Sequence, residues 1–454
     1  MCNSMVGWIW FLIFIVLVII FAAVVYFNTR KALKNNKKTL LMKFWKMDSA
    51  KSIASSIISI VLGLLIGCFI LLFMVLIPTK GSSISFNTAI DGIQLIFAGI
   101  FNTGKNVEGE LIFGFNSVNF GNMLFRAMPL ILTGLSVAVA FKTGLFNIGA
   151  PGQYLLGVAT TLILALVIPT SVVPGFLVWI IAFLGGIIAG AIWGAVPGFF
   201  KAYLNVNEVI TCIMMNWIAA NLVTMLFDKE TGPFKFLLDP SGTKNWGYVF
   251  KTTHNGVATG KFGLDIIFEG SQVNGGIIIA VVIAIIVYII INKTTFGYQL
   301  KACGSNRNAA KYAGINDKFC TIISMSIAGG LAGAAAALYY LSGNTEFAWE
   351  TYQSLPAVGF TGIPVALLAF NNPIGVIFSA SFISLLDING MQLKYMTSYN
   401  EYITSIITAV IVYFSAFSLL FKQILEGKIR INFIDIFKRS KNKTIETVVE
   451  NKEV

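Results

Sequence analysis

Charge is scarce in this chain of 454 residues. Only 11% are Asp, Glu, Lys or Arg, against about 25% in a soluble domain, which excludes a water-soluble globular fold. Histidine is nearly absent, and the one present, His254, lies in a polar interval. The five cysteines (Cys2, Cys68, Cys212, Cys303, Cys320) contain no C-x-x-C pair, which removes a zinc cluster and a disulfide framework. No G-x-x-x-x-G-K-[ST] occurs, and the nearest stretch, Gly256 to Phe262, has the wrong spacing. The chain therefore lacks a phosphate-binding loop of its own. No His/Cys/Asp cluster and no nucleophile motif stands out, so no metal ligand and no catalytic residue is assigned. Dyad alternation is also missing, which sets a transmembrane β-barrel aside.

What the chain has is apolar length. Hydrophobic residues make up 56% and the mean hydropathy is +0.80. Apolar runs recur at 6–27, 53–77, 120–141, 149–168, 175–200, 209–227, 277–291, 319–341, 357–370, 374–388 and 402–421. Most approach the roughly 20 residues that a helix needs to cross a bilayer, so the fold class is an all-α polytopic membrane protein. The run at 6–27 is longer than a signal-peptide core and has no basic segment before it, so it reads as an anchor helix.

Lys and Arg are distributed unevenly: eight fall in 28–52, five in 293–318 and eight in 422–454. Short basic loops stay on the cytoplasmic side, which puts these three segments, and the C-terminus, in the cytoplasm. The net charge of +12 is explained by orientation and by contact with anionic lipid rather than by nucleic acid. The resulting organisation is an extra N-terminal transmembrane helix with its basic segment (1–52), a first half of the core (53–227), an external loop (228–276), a second half (277–421) and a cytoplasmic tail (422–454). Each half holds five spans. An odd number inverts one half relative to the other, a common transporter plan with the site at the interface of the halves.

Three intramembrane stretches carry polar groups. In Phe141 to Gly157, the residues Gly144, Gly149, Pro151 and Gly152 interrupt an apolar run that also holds Asn147 and Gln153. Such a break is tolerated only where protein or a water-filled cavity satisfies the freed backbone. It serves either as a tight turn between packed helices or as part of a solute pathway. In Gly190 to Trp217, Gly190, Gly194 and Gly198 form a face for close packing. Glu208 begins the next span, as a cap or as a partner of Lys201, and Asn216 lies further in as a pathway candidate. In Val358 to Gln392, Asp387 is followed by Asn389 and Gln392. Either the helix continues and Asp387 is a buried, functional acid, or the span ends early and Asp387 is interfacial.

The polar interval 293–318 looks structured. Ser305 or Asn306 can cap a helix, Asn308 to Ala313 can form about two turns, and Gly314 suits the left-handed position that ends one. A helix this short needs a surface to pack on. Two surfaces are open to it: the lipid headgroups or a cytoplasmic partner.

The stretches RAMPLILTGLSVAVAFKTGLFNIGAPGQ, KAYLNVNEVITCIMMNWIA and TTFGYQLKACGSNRNAAKYAGI resemble the permease subunits of ATP-binding-cassette importers. The similarity is to the group serving ribose, galactosides, nucleosides and branched-chain amino acids, particularly its nucleoside or simple-sugar branch, and it covers about 53–421. The resemblance implies a ten-helix permease core, a second permease subunit, an external substrate-binding lipoprotein and a cytoplasmic ATPase that binds the ATP and Mg, with no cofactor in this chain. It also implies that the central loop couples to that ATPase, with Gly304, Asn306, Arg307, Ala309, Ala310 and Gly314 as coupling residues. The solute pathway candidates are Asn147, Gln153, Asn216, Asp387 and Asn389. The family usually has an acid where Pro151 stands, so no role carries over to that position. The alternative is an ion-coupled secondary transporter using Asp387 or Glu208.

Overall fold

The computed structural model describes residues 48–75, 86–106, 110–238, 247–248, 257–397, 399 and 402–425. The expected first span at 6–27, most of the basic segment after it and the tail beyond 425 lie outside the described residues. Apart from a single turn at Leu264–Ile267, the α-helices are α1 (Asp48–Met74), α2 (Phe86–Ala98), α3 (Ser117–Lys142), α4 (Ala150–Val167), α5 (Gly175–Leu204), α6 (Glu208–Leu226), α7 (Gly276–Lys293), α8 (Thr295–Ser305), α9 (Arg307–Tyr312), α10 (Asp317–Tyr340), α11 (Ala357–Leu368), α12 (Pro373–Met396), α13 (Tyr402–Ala416) and α14 (Ser418–Leu425). Two antiparallel strand pairs accompany them: β1 (Asn102–Lys105) with β2 (Leu111–Phe113), and β3 (Gly247–Tyr248) with β4 (Phe347–Ala348).

Eight of the described helices are long and apolar enough to cross a membrane: α1, α3, α4, α5, α6, α7, α10 and α12. They account for eight of the ten expected core spans, and the other two apolar runs form shorter helices. The run at 357–370 forms only the 12 residues of α11, about 18 Å at 1.5 Å per residue. It stops because Phe370 and Asn371 turn left-handed (φ 50° and 54°). The run at 402–421 is split between the 15 residues of α13 and the short α14. In compensation α12 is longer than its apolar run and continues to Met396.

The body is built on α3 and α10, the two most enclosed spans. α3 packs against α7, α10, α11 and α12, while α10 packs against α3, α4 and α5; α1 lies against α13 and α14. Glycine sets the closest of these contacts. A Cβ at Gly190 would meet the Gly329 carbonyl oxygen, one at Gly329 would meet the Gly190 carbonyl oxygen, and one at Gly333 would meet the Gly186 carbonyl oxygen. The residues pair in reverse order, so α5 and α10 run antiparallel with backbones in direct contact, the close packing that small residues permit. The face anticipated from Gly190, Gly194 and Gly198 is therefore filled by α10 of the same chain.

Candidate functional site

The break between α3 and α4 is closed by amides. Asn147 donates to Ser136 Oγ at 3.0 Å and to Gln153 Oε1 at 2.8 Å. Its oxygen accepts from the Gly149 N–H at 3.1 Å and from Gln153 Nε2 at 3.1 Å. Ser136 lies six residues before the end of α3, so the segment after that helix re-enters the body by about 9 Å. Asn216, on α6, completes the closure: its oxygen accepts from the Gly152 N–H at 2.9 Å and its nitrogen donates to the Ile148 carbonyl at 3.0 Å. Asn147, Gln153 and Asn216 are at most 1% exposed. Glycine is required here, since a Cβ at Gly152 would lie 2.8 Å from Asn216 Cα and Oδ1. One turn of α11 closes over the start of α4, with a Cβ at Gly359 meeting Pro151 Cα at 2.6 Å. Asn147 and Asn216 thus hold the backbone of the break, and Gln153 holds Asn147. Glu208 pairs with Lys201 at 2.9 Å, and Asn207 caps α6 by accepting from Val209 N.

Asp387 and Asn389 occupy different faces of α12. The helix runs nine residues past Asp387, which removes the interfacial reading based on an early end. Asn389 faces α2: it donates to the Ile96 carbonyl at 2.9 Å, and its oxygen is buried without a partner. Gln392 accepts weakly from Asn102 at 3.4 Å and its Nε2 has no partner. Asp387 instead faces α3, where it lies in the field of Arg126. The guanidinium of Arg126 reaches Met391 Sδ at 3.4 Å, one turn along α12, and acts electrostatically on Tyr339 of α10 as well. Nothing in the sequence analysis assigns a role to Arg126. Its signal was position: it stands ten residues into α3, past the helix's first two turns.

The interval between α7 and α10 is an elbow of two helices held by three consecutive caps. Thr294 accepts from Gly297 N at 3.1 Å, Asn306 from Ala309 N at 3.0 Å and Asn316 from Phe319 N at 3.1 Å. Gly314 is left-handed, with φ 79°. Gly304 lets the end of α8 meet the end of α3, since a Cβ there would strike the Lys142 carbonyl and lie 2.9 Å from Gly144 N. Arg307 is turned inward and donates to Thr321 Oγ1 at 3.1 Å. Ala309 is exposed, but Ala310 is 4% exposed and belongs to the chain's own core. Its small side chain serves the packing of α9 on this chain. The residue missed on the elbow is Tyr312, 94% exposed. The sequence signal was an aromatic inside the expected two-turn helix Asn308 to Ala313, in a polar loop. Among the described residues no group of three His, Cys, Asp or Glu side chains is placed to hold a metal ion.

Residues 119–416 match the family model described as branched-chain amino acid transport system / permease component. The chain is 35% identical over 309 residues to the nucleoside ABC transporter permease protein NupB of Lactococcus lactis subsp. cremoris (strain MG1363), covering 66% of this chain and 79% of that protein. It is 31% identical over 347 residues to the guanosine ABC transporter permease protein NupP of Bacillus subtilis (strain 168), covering 76% and 91%. It is 29% identical over 305 residues to the glucose ABC transporter permease protein TsgB13 of Haloferax volcanii, covering 66% and 77%. No solved structure matches. The family match spans the helical body from α3 through α13, including the closed break, Asp387 and the elbow, and the chain belongs to the permease-component family of ABC importers.

Proposed function

We propose that this chain is the permease of a nucleoside importer, with simple sugars as the second candidate solute class. The support is its similarity to the nucleoside and guanosine permeases. Solute, delivered by an external binding lipoprotein, passes along the seam between the halves, with Asp387 and Asn389 as the candidate contacts. Asn147, Gln153 and Asn216 shape that pathway by holding the α3–α4 break. ATP and Mg are bound by a separate cytoplasmic ATPase, and a second permease subunit completes the membrane unit. The basic segments, including the C-terminus, face the cytoplasm.

The observation that carries the coupling assignment is the elbow. Its end rests on the end of α3 at Gly304 and Gly144, while the outer face of α9 stays free, with Asn308, Ala309, Lys311 and Tyr312 exposed. A push on α9 is therefore delivered to the most enclosed helix of the body. Exposed aromatic anchors are the residues that dominate protein interfaces, which assigns Tyr312 to the ATPase contact.

The test is Ala309→Asp in the assembled importer. A carboxylate introduced into a docked surface is left buried and unpaired. The expected result is a tenfold or greater loss of co-purified ATPase, about 1.4 kcal/mol per decade, together with loss of guanosine uptake. Normal retention and normal uptake would contradict the docking assignment.

A further inference from the structure

The far end of the seam, about 24 Å along α3 from the elbow at 1.5 Å per residue, holds two opposite charges that do not close on each other. The ion pairs among the described residues are Lys105–Asp91, Lys201–Glu208 and Lys261–Asp265. Arg126 and Asp387 form none, although both are half-buried within spans and Asp387 stands one turn of α12 before Met391, which the Arg126 guanidinium reaches at 3.4 Å. Leaving two such charges apart inside a membrane helix bundle is costly, and a direct contact between them would relieve part of that cost.

Beside them runs a ladder of rings that crosses from one half to the other. Phe125, the neighbour of Arg126 on α3, stacks on Tyr339 of α10 with centroids 5.5 Å apart and planes at 24°. Tyr339 contacts Tyr340 at 5.4 Å, and Tyr340 contacts Tyr154 of α4 at 6.5 Å and Phe347 of β4 at 5.9 Å. Phe125, Tyr154 and Phe347 are buried, while Tyr339 and Tyr340 are half-buried. The two tyrosines of α10 are thus the open side of the ladder, and Tyr339 lies next to the charge pair.

A guanidinium only donates hydrogen bonds and a carboxylate only accepts them. The group that joins the two is one that does both, and a hydroxyl does. A sugar with neighbouring hydroxyls offers two such bridges, and a planar base offers a ring to extend the parallel Phe125–Tyr339 stack. We propose that Arg126, Asp387 and Tyr339 form an entry site for a solute that combines a hydroxylated sugar with a flat aromatic base, the sugar bridging the charges and the base lying against the tyrosines. A simple sugar would use only the charged half of the site, so the ring ladder selects the nucleoside class. This inference rests on the importer reading above and adds the residues of recognition to it.

The test is labelled guanosine uptake by the assembled importer in proteoliposomes, with ATPase co-purification as the control for folding. Asp387→Asn and Arg126→Gln are each expected to raise the half-saturating guanosine concentration about tenfold or more with the ATPase retained. Tyr339→Leu is expected to do the same, while Tyr339→Phe, which keeps the ring, stays within about twofold of wild type. Unchanged half-saturation in both charge variants would overturn the site. Loss of assembly in both would also overturn it, by showing that the charges hold the fold. Absence of guanosine uptake by the wild-type importer would instead overturn the nucleoside reading itself, which separates the two failures.

Discussion

The α3–α4 break and the Arg126–Asp387 end of the seam both place polar side chains among the same packed helices, yet they differ in what those side chains touch. At the break, Asn147 makes four hydrogen bonds and Asn216 makes two, all to groups of this chain. At the other end, the Arg126 guanidinium reaches α12 at Met391, one turn from the Asp387 carboxylate, without an ion pair between the two charges. A buried polar group whose capacity is filled by the chain is part of the fold. A charge left open beside half-buried rings is poised for something that arrives from outside. Polarity inside a membrane body is therefore not one signal but two, separated by saturation.

Variants of the closed region break this comparison most severely. Gly329→Leu drives a side chain into the Gly190 carbonyl of α5, and neither backbone has room to retreat. No monodisperse folded chain is expected on fluorescence-detected size exclusion. Gln153→Leu is the next largest effect. It removes one of the two hydrogen bonds at each end of the Asn147 amide and leaves those to Ser136 and Gly149, at a cost of about 0.5–1.5 kcal/mol per lost bond. Reduced thermal stability is expected, with guanosine uptake per folded molecule lowered far less.

The open region is sharpened by a double variant. If Arg126 and Asp387 bind one solute through a shared hydroxyl bridge, their losses are not independent. Arg126→Gln with Asp387→Asn is expected to shift half-saturation no more than about threefold beyond the larger single variant. Multiplied single effects would show two unrelated sites. The smallest effect lies at the Lys201–Glu208 pair, which is partly exposed on both sides. Lys201→Met is expected to cost at most about 1 kcal/mol in thermal unfolding and to leave uptake unchanged.

Parts of both regions were legible in the chain. The α9 helix followed from Asn306 and Gly314, because a cap and a left-handed stop are local chemistry. The preceding α8 did not, since Thr295 to Ser305 carries two glycines and no apolar period, and it is fixed by Thr294 and by Gly304 resting on α3. The break was visible in Gly144, Gly149, Pro151 and Gly152. Its closure was not, because the Asn216 contacts span 64 and 68 residues and depend on how α6 lies beside α4. The run through Asp387, Asn389 and Gln392 left two readings open, a continuing helix or an early end of the span. It is instead a helix interior whose polar faces meet α2 and α3, a matter of tertiary packing that no window of sequence contains. Arg126 was overlooked for the same reason: only the approach of α12 and α10 gives that charge its surroundings.

The contrast between filled and open polarity is tested most directly by thermal unfolding of the purified chain in one detergent, comparing Asn216→Leu with Asp387→Asn. Asn216→Leu orphans the Gly152 N–H and the Ile148 carbonyl inside the body and is expected to lower the midpoint by about 5 °C or more. Asp387→Asn removes a charge that has no ion-pair partner and keeps the side chain's shape, so its midpoint is expected within about 2 °C of wild type. The reverse order, with Asp387→Asn the more damaging variant, would contradict the account.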